Sequence, residues 1–214
     1  MRDRALGVLL VLSGGCFVAA VLNPPLLPTW GESVSGTVAT ASAHRAAWFV
    51  STWLLALSIT AAVAAAELLA RSLATDTARV GRSLYLVGGG LGLASTSYDL
   101  SVTSTLLGTS PLPGWYLGAE HWAAGLATAY FALLAPAAMV CFGWSIWRTR
   151  RFPRWTGAVL LIAAATLLAQ FAVFRGALPF PQFLAFIALG AAVLARPAAP
   201  VPPDGRRPGV PLAR

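Results

Sequence analysis

Six long apolar runs, at about residues 5–22, 46–70, 83–107, 121–147, 155–174 and 179–195, leave this chain little choice of fold. About 20 helical residues, rising 1.5 Å each, cross the ~30 Å hydrocarbon core of a bilayer. Every run lies near or above that length, the first and last being the shortest. Backbone polar groups in lipid must be paired within the segment, so runs of this kind read as helices. The spacing predicts an all-α integral membrane helical bundle with six transmembrane helices. It forms one domain over 1–196, followed by a Pro/Arg-rich tail at 197–214 that is expected to be disordered. The first run is read as a retained helix and not a cleaved leader, because no small-x-small site precedes Asn23-Pro24-Pro25.

Charge placement agrees. Only 10% of residues are charged against 57% hydrophobic, whereas a soluble domain carries roughly 25% charged residues. All fifteen basic residues are arginines. One side of the predicted membrane receives Arg2, Arg4, Arg71, Arg79, Arg82, Arg148, Arg150, Arg151, Arg154, Arg196, Arg206, Arg207 and Arg214. The other receives Arg45 and Arg175. Arginine accumulates on the cytoplasmic side of membrane proteins, so both termini are expected there, in a bacterial plasma membrane. The net charge of +8 follows from this clustering. No basic-aromatic groove or nucleic-acid motif accompanies it, so the expected partners are the lipid bilayer and a hydrophobic small molecule, with no nucleic acid.

Cys16 and Cys141 fall at different predicted depths, which argues against a disulfide. No CxxC or Cys/His cluster indicates a metal centre, and no cofactor is expected. The stretch Leu12-Ser13-Gly14-Gly15-Cys16 is near a lipoprotein site, but Ser13 stands where an aliphatic residue belongs. Pro136 in the fourth run removes a backbone hydrogen bond to Ala132 and predicts a kink.

Ionisable groups inside a membrane point to function by default. Asp99 is the leading candidate. Ending the third helix before it would leave too short a span, so it falls within the outer third. It shares a face with Gly88, Gly92, Ser95, Thr96 and Thr103 at three- and four-residue steps, beside Tyr98. A carboxylic acid away from water can donate or relay a proton; the alternatives are an interhelical hydrogen bond or a polar vestibule. Glu67 precedes Arg71 by four residues, the favourable order for a helical ion pair, and is also held as a second candidate acid. Glu120 and His121 are expected to begin the fourth helix, where an acid suits the helix N-terminus. His44 lies on the same outer side before the second helix. The two histidines with Glu32 and Glu120 form either a proton-handling, metal-binding or haem-ligating set or an ordinary collection of loop and cap residues. Trp30, Trp48, Trp53, Trp115, Trp122, Tyr98 and Tyr116 crowd that side, either as an interfacial belt or as pocket walls that stabilise a cation. Asp99, Glu67, Glu120 and Tyr98 are thus the catalytic candidates, and Trp53, Trp115, Trp122, His121 and His44 the substrate-binding candidates.

The segment Arg148-Thr149-Arg150-Arg151-Phe152-Pro153-Arg154-Trp155-Thr156-Gly157 precedes the fifth apolar run. With the first helix Ala5-Leu6-Gly7-Val8-Leu9 and an Ala-rich second helix, it resembles a family of uncharacterised six-helix bacterial membrane proteins. That resemblance implies the architecture and no activity. In plan only, the chain is also similar to small membrane-embedded terpene cyclases. There an intramembrane acid protonates an epoxide or alkene, and this likeness implies Asp99 as the acid with Tyr98, Trp53 and Trp122 around it and Glu67 or Glu120 as a second acid. The sequence therefore leaves open an accessory or interaction protein, an enzyme on a lipid or isoprenoid, and a small proton-coupled transporter.

Overall fold

The computed structural model describes residues 2–23, 32–175 and 178–196. The predicted 197–214 tail, with Arg206, Arg207 and Arg214, and the stretch containing Pro24, Pro25, Pro28 and Trp30 lie outside the described residues. Among those described, the chain is helical with no strand. The helices are α1 (Arg2–Leu22), α2 (Val34–Ala43), α3 (Arg45–Leu73), α4 (Asp76–Tyr98), α5 (Gly114–Thr128), α6 (Ala135–Thr149), α7 (Arg154–Phe174) and α8 (Phe180–Leu194).

Four stretches are long and apolar enough to cross a membrane: Asp3–Leu22, Arg45–Leu73, Gly114–Thr149 and Arg154–Phe174. α8 is apolar but has 15 residues. α4 has 23 residues, diluted by glycines, hydroxyls and the charges of Asp76, Arg79 and Arg82.

Two helix starts differ from expectation. α4 begins at Asp76, seven residues early, because the Thr75 side chain accepts a hydrogen bond from the Ala78 N–H and caps it. The fourth long helix begins at Gly114. Its prolines and glycines read as loop, yet Pro113 is compatible with a helix start, and its carbonyl accepts from the Tyr116 N–H. Glu120 and His121 therefore sit almost two turns into the helix, and the capping role expected of them is withdrawn.

Pro136 does not end its helix. α5 and α6 are joined through a π-helical turn over Ala129–Leu134, in which the Ala135 N–H reaches back five residues to Tyr130 O. The widened turn sits just before the proline and takes up the donor it lacks. A second π-helical turn, Asp99–Thr103, extends α4, and there the Ser104 N–H reaches Asp99 O.

The six long helices close a ring. α1 packs on α3 and α8, α3 on α4, α4 on α6, α6 on α7, and α7 on α8. Spatial order thus follows chain order. Three contacts gather the turns at one end. Arg151 Nη2 lies 3.2 Å from Asp3 Oδ2, Arg196 Nη1 donates to Arg151 O at 2.6 Å, and Thr75 Oγ1 donates to Ser145 Oγ at 3.0 Å. The described arginine clusters all fall at this end. At the opposite end Asn23 Nδ2 donates to Ala47 O (3.0 Å) and Ser51 Oγ (2.9 Å), and the Gly108 N–H donates to Ser42 Oγ (2.9 Å).

Close packing rests on glycine where backbones meet. A Cβ on Gly143 would lie 2.8 Å from Gly157 O, and one on Gly157 would lie 2.8 Å from Gly143 O, so α6 and α7 touch backbone to backbone. Gly88 and Gly92 form a groove that receives the Tyr130 ring. At the foot of that ring lies a polar knot. Tyr85 and Tyr130 hydroxyls are 2.9 Å apart, and Gln182 Nε2 donates to them at 2.6 and 3.2 Å. All three side chains are fully buried. The knot ties α4, the central π turn and α8 together.

Candidate functional site

At the end of the ring away from the arginine clusters, the helices splay around a cavity of about 780 Å³. α1, α3, α4, α5 and α7 reach it, and Leu178 and Pro179 close it just ahead of α8. α4 contributes Gly92, Ser95, Thr96 and Asp99, with Thr103 from its π turn. α5 contributes Glu120, His121, Ala123, Ala127 and Thr128. Phe17 comes from α1, Trp48 from α3, Phe131 from the central π turn, and Gln170 and Phe174 from α7. The short helix α2 covers it with Val34 and Thr37, preceded by Glu32. α2 is held by its cap, Ser33 Oγ accepting from the Gly36 N–H at 3.2 Å, while Thr40 Oγ1 donates to Glu32 Oε2 at 3.2 Å.

Asp99 is placed by the π turn that starts with it. In that turn the Asp99 carbonyl accepts from both the Ser104 N–H and, at 2.9 Å, Ser104 Oγ. Thr103 Oγ1 then stands 3.5 Å from Asp99 Oδ1, a long contact, and itself accepts from the Tyr116 hydroxyl at 3.1 Å. A chain of hydroxyls thus runs from α5 through Thr103 to the carboxyl group and fixes its direction. Tyr98 stacks on Tyr116, with ring centroids 6.2 Å apart and planes at 14°. Both rings are packed with Val38, Leu106 and Ala123 in a small apolar cluster under α2.

The structure separates the candidates. Asp99, Glu120 and His121 line one cavity. Tyr98 is beside Asp99 in sequence but is not among the lining residues; it is packing for Tyr116. Glu67 lies on the last turns of α3, about 28 Å along that helix from Trp48 at 1.5 Å per residue, toward the arginine-rich end. Its carboxylate meets Arg71 Nε at 2.6 Å and Arg82 Nε at 3.2 Å, so the helical pair is present and also bridges α3 to α4. Its proposed part as a second acid beside Asp99 is corrected by this distance. Half-exposed pairs of this kind contribute about 0–1 kcal/mol. Glu67→Gln is expected to lower stability by about 1 kcal/mol or less in thermal unfolding, and to leave the cavity unaffected.

Trp53, Trp115 and Trp122 are 64%, 59% and 62% exposed and point away from the cavity. Their role as pocket walls is corrected. Helical periodicity sets them on the outer faces of α3 and α5, where an indole suits a membrane interface. The walls are instead Trp48, only 3% exposed, with Phe17, Phe131 and Phe174. His44 is exposed at the corner between α2 and α3 and does not join His121 at the cavity. No group of three or more His, Cys, Asp or Glu among the described residues is arranged to hold a metal ion. Cys16 and Cys141 are free thiols.

Two features went unseen in the sequence although signals existed. α2 shows buried Val38 and Ala41 at helical spacing behind a capping serine. Gln182 is a lone amide in an apolar run, which is the mark of an internal hydrogen-bond partner.

Compared with known proteins, the chain matches no family model, no curated protein and no solved structure.

Proposed function

We propose that this chain is a six-span membrane protein, with the arginine-rich end in the cytoplasm, that takes a hydrophobic small molecule into the cavity at the opposite end and meets its polar part with Asp99 and Glu120. The observation that carries this reading is the convergence of two carboxyl groups from different helices on one largely apolar cavity of about 780 Å³, within the range of small-molecule sites. The gathering of the described arginine clusters at one end supports the orientation, since arginine is retained on the cytoplasmic side. α4 and α8 complete the six spans, and the 23 residues of α4 are enough to cross at about 1.5 Å each.

The same arrangement suits an enzyme that protonates an isoprenoid or other lipid. Asp99 is the group aimed into the cavity, and Phe17, Trp48 and Phe131 would shield a developing carbocation.

Cysteine accessibility tests the reading. With Cys16 and Cys141 replaced by alanine, a single cysteine at Ala127, inside the cavity, or at exposed Thr109 is expected to react with a membrane-impermeant maleimide in intact cells. A cysteine at exposed Arg150 should react only after permeabilisation. Labelling of Ala127→Cys only from the arginine-rich side would overturn it.

A further inference from the structure

We infer that the molecule taken into the cavity is a hydrophobic organic cation, an ammonium centre carrying an oxygen acceptor and an apolar body. This rests on the reading above and names the ligand class for that site.

The charge of the cavity is one-sided. Glu32, Asp99 and Glu120 line it, and no arginine does. The ion pairs among the described residues involve Asp3, Glu67 and Asp76 and reach none of these three carboxyl groups. His121 is exposed at the rim. Carboxyl groups from two helices thus meet at one cavity with His121 at its rim as the only basic side chain lining it, and a cation between the two acids is the partner that suits both.

Two buried polar atoms point the same way. One carboxylate oxygen of Glu120 makes no hydrogen bond among the described residues, and neither does the indole N–H of Trp48. Trp48 is 97% buried and lines the cavity, so its N–H has no access to bulk water. An unpaired buried donor costs about 1–3 kcal/mol. Neither atom is open to the cavity as the side chains stand, so a ligand relieves both as the two side chains turn toward it, and it then brings positive charge to the carboxyl group and an acceptor oxygen to the indole. The remaining walls are aromatic and aliphatic. Phe17, Phe131 and Phe174 provide apolar surface for the body of the ligand, and ring faces attract an ammonium group within about 6 Å. A metal ion would leave most of such a volume empty.

The test compares two probes of the same shape on the full chain in lipid nanodiscs, with empty nanodiscs as background. Octanoylcholine carries a quaternary ammonium and an ester carbonyl; 3,3-dimethylbutyl octanoate is its neutral counterpart, with carbon in place of nitrogen. Octanoylcholine is expected to bind saturably, at least tenfold tighter than the neutral ester. That preference should fall toward one in Asp99→Asn and in Glu120→Gln, two variants on different helices, so that misfolding of either leaves the other decisive. Saturable binding of both esters with equal affinity, blocked by filling the cavity with Ala123→Phe, would overturn the cationic ligand and keep the hydrophobic site. Absence of saturable binding by either probe in folded protein would overturn both.

Discussion

Tyr130→Ala is expected to destabilise the protein by about 3–5 kcal/mol, the range for truncating a buried aromatic side chain. The Tyr130 ring fills the groove between Gly88 and Gly92 and is fully buried. The facing helix presents glycine at Gly88 and Gly92, which has no side chain to fill the gap. Under the proposed membrane location the loss is one of packing, since lipid tails are as apolar as the protein interior and supply no separate drive for helix association. The truncation also strips Tyr85 and Gln182 of a shared hydroxyl. Tyr130→Phe separates the two contributions. It keeps the ring and removes the hydroxyl, and should cost about 1–2 kcal/mol. Thermal unfolding of the purified protein in mild detergent reads both. Equal losses in the two variants would mean that the hydrogen bonds and not the groove hold this seam.

Gly157→Leu is the second large effect. Any side chain at this position starts 2.8 Å from the Gly143 carbonyl, a distance real Cβ atoms do not show. Backbone cannot swing aside as a flexible side chain can, so α6 and α7 must separate, and the contacts along the whole seam weaken with them. Overpacking typically costs 1–3 kcal/mol, occasionally more. Here the obstruction is backbone, and about 3 kcal/mol or more is expected, with little folded protein recovered from membranes. Gly118→Ala is the matched control. Nothing lies within 4 Å of its added Cβ, and alanine is the better helix former by about 1 kcal/mol, so that variant should unfold at the same temperature as the parent or higher. If Gly157→Leu also left the unfolding temperature unchanged, the close α6–α7 crossing would be wrong.

The helices were legible because hydropathy and length act locally, and four of them are long and apolar enough to cross a membrane. Asp99 and its small-residue face were legible for a related reason. A carboxyl group cannot be hidden in an apolar run, and glycines at four-residue steps mark one side of a helix. What surrounds Asp99 was not legible. Whether Trp53 or Trp48 faces the cavity depends on the rotation of α3, which five residues of sequence separation alone leave undecided without knowing its neighbours. That Glu67 and Glu120 lie at opposite ends was legible, because Glu67 precedes the cluster of Arg71, Arg79 and Arg82 and Glu120 follows a run free of arginine; that Glu67 also pairs with Arg82 of the next helix was not. The π turns were invisible for another reason. Pro136 announced a disturbance, but a kink and a widened turn satisfy the same missing donor, and only the partner helix decides between them.

The ring also has a history written into its order. Five of its six seams join long helices that follow one another along the chain, and each can form as soon as the next helix is made. The sixth, between α1 and α8, waits for α8. Leu178 and Pro179, just ahead of α8, belong to the cavity wall, so the cavity gains that part of its wall in the same event that closes the ring. Before α8 docks, the described helices form an open arc, and a single seam converts it into a closed one.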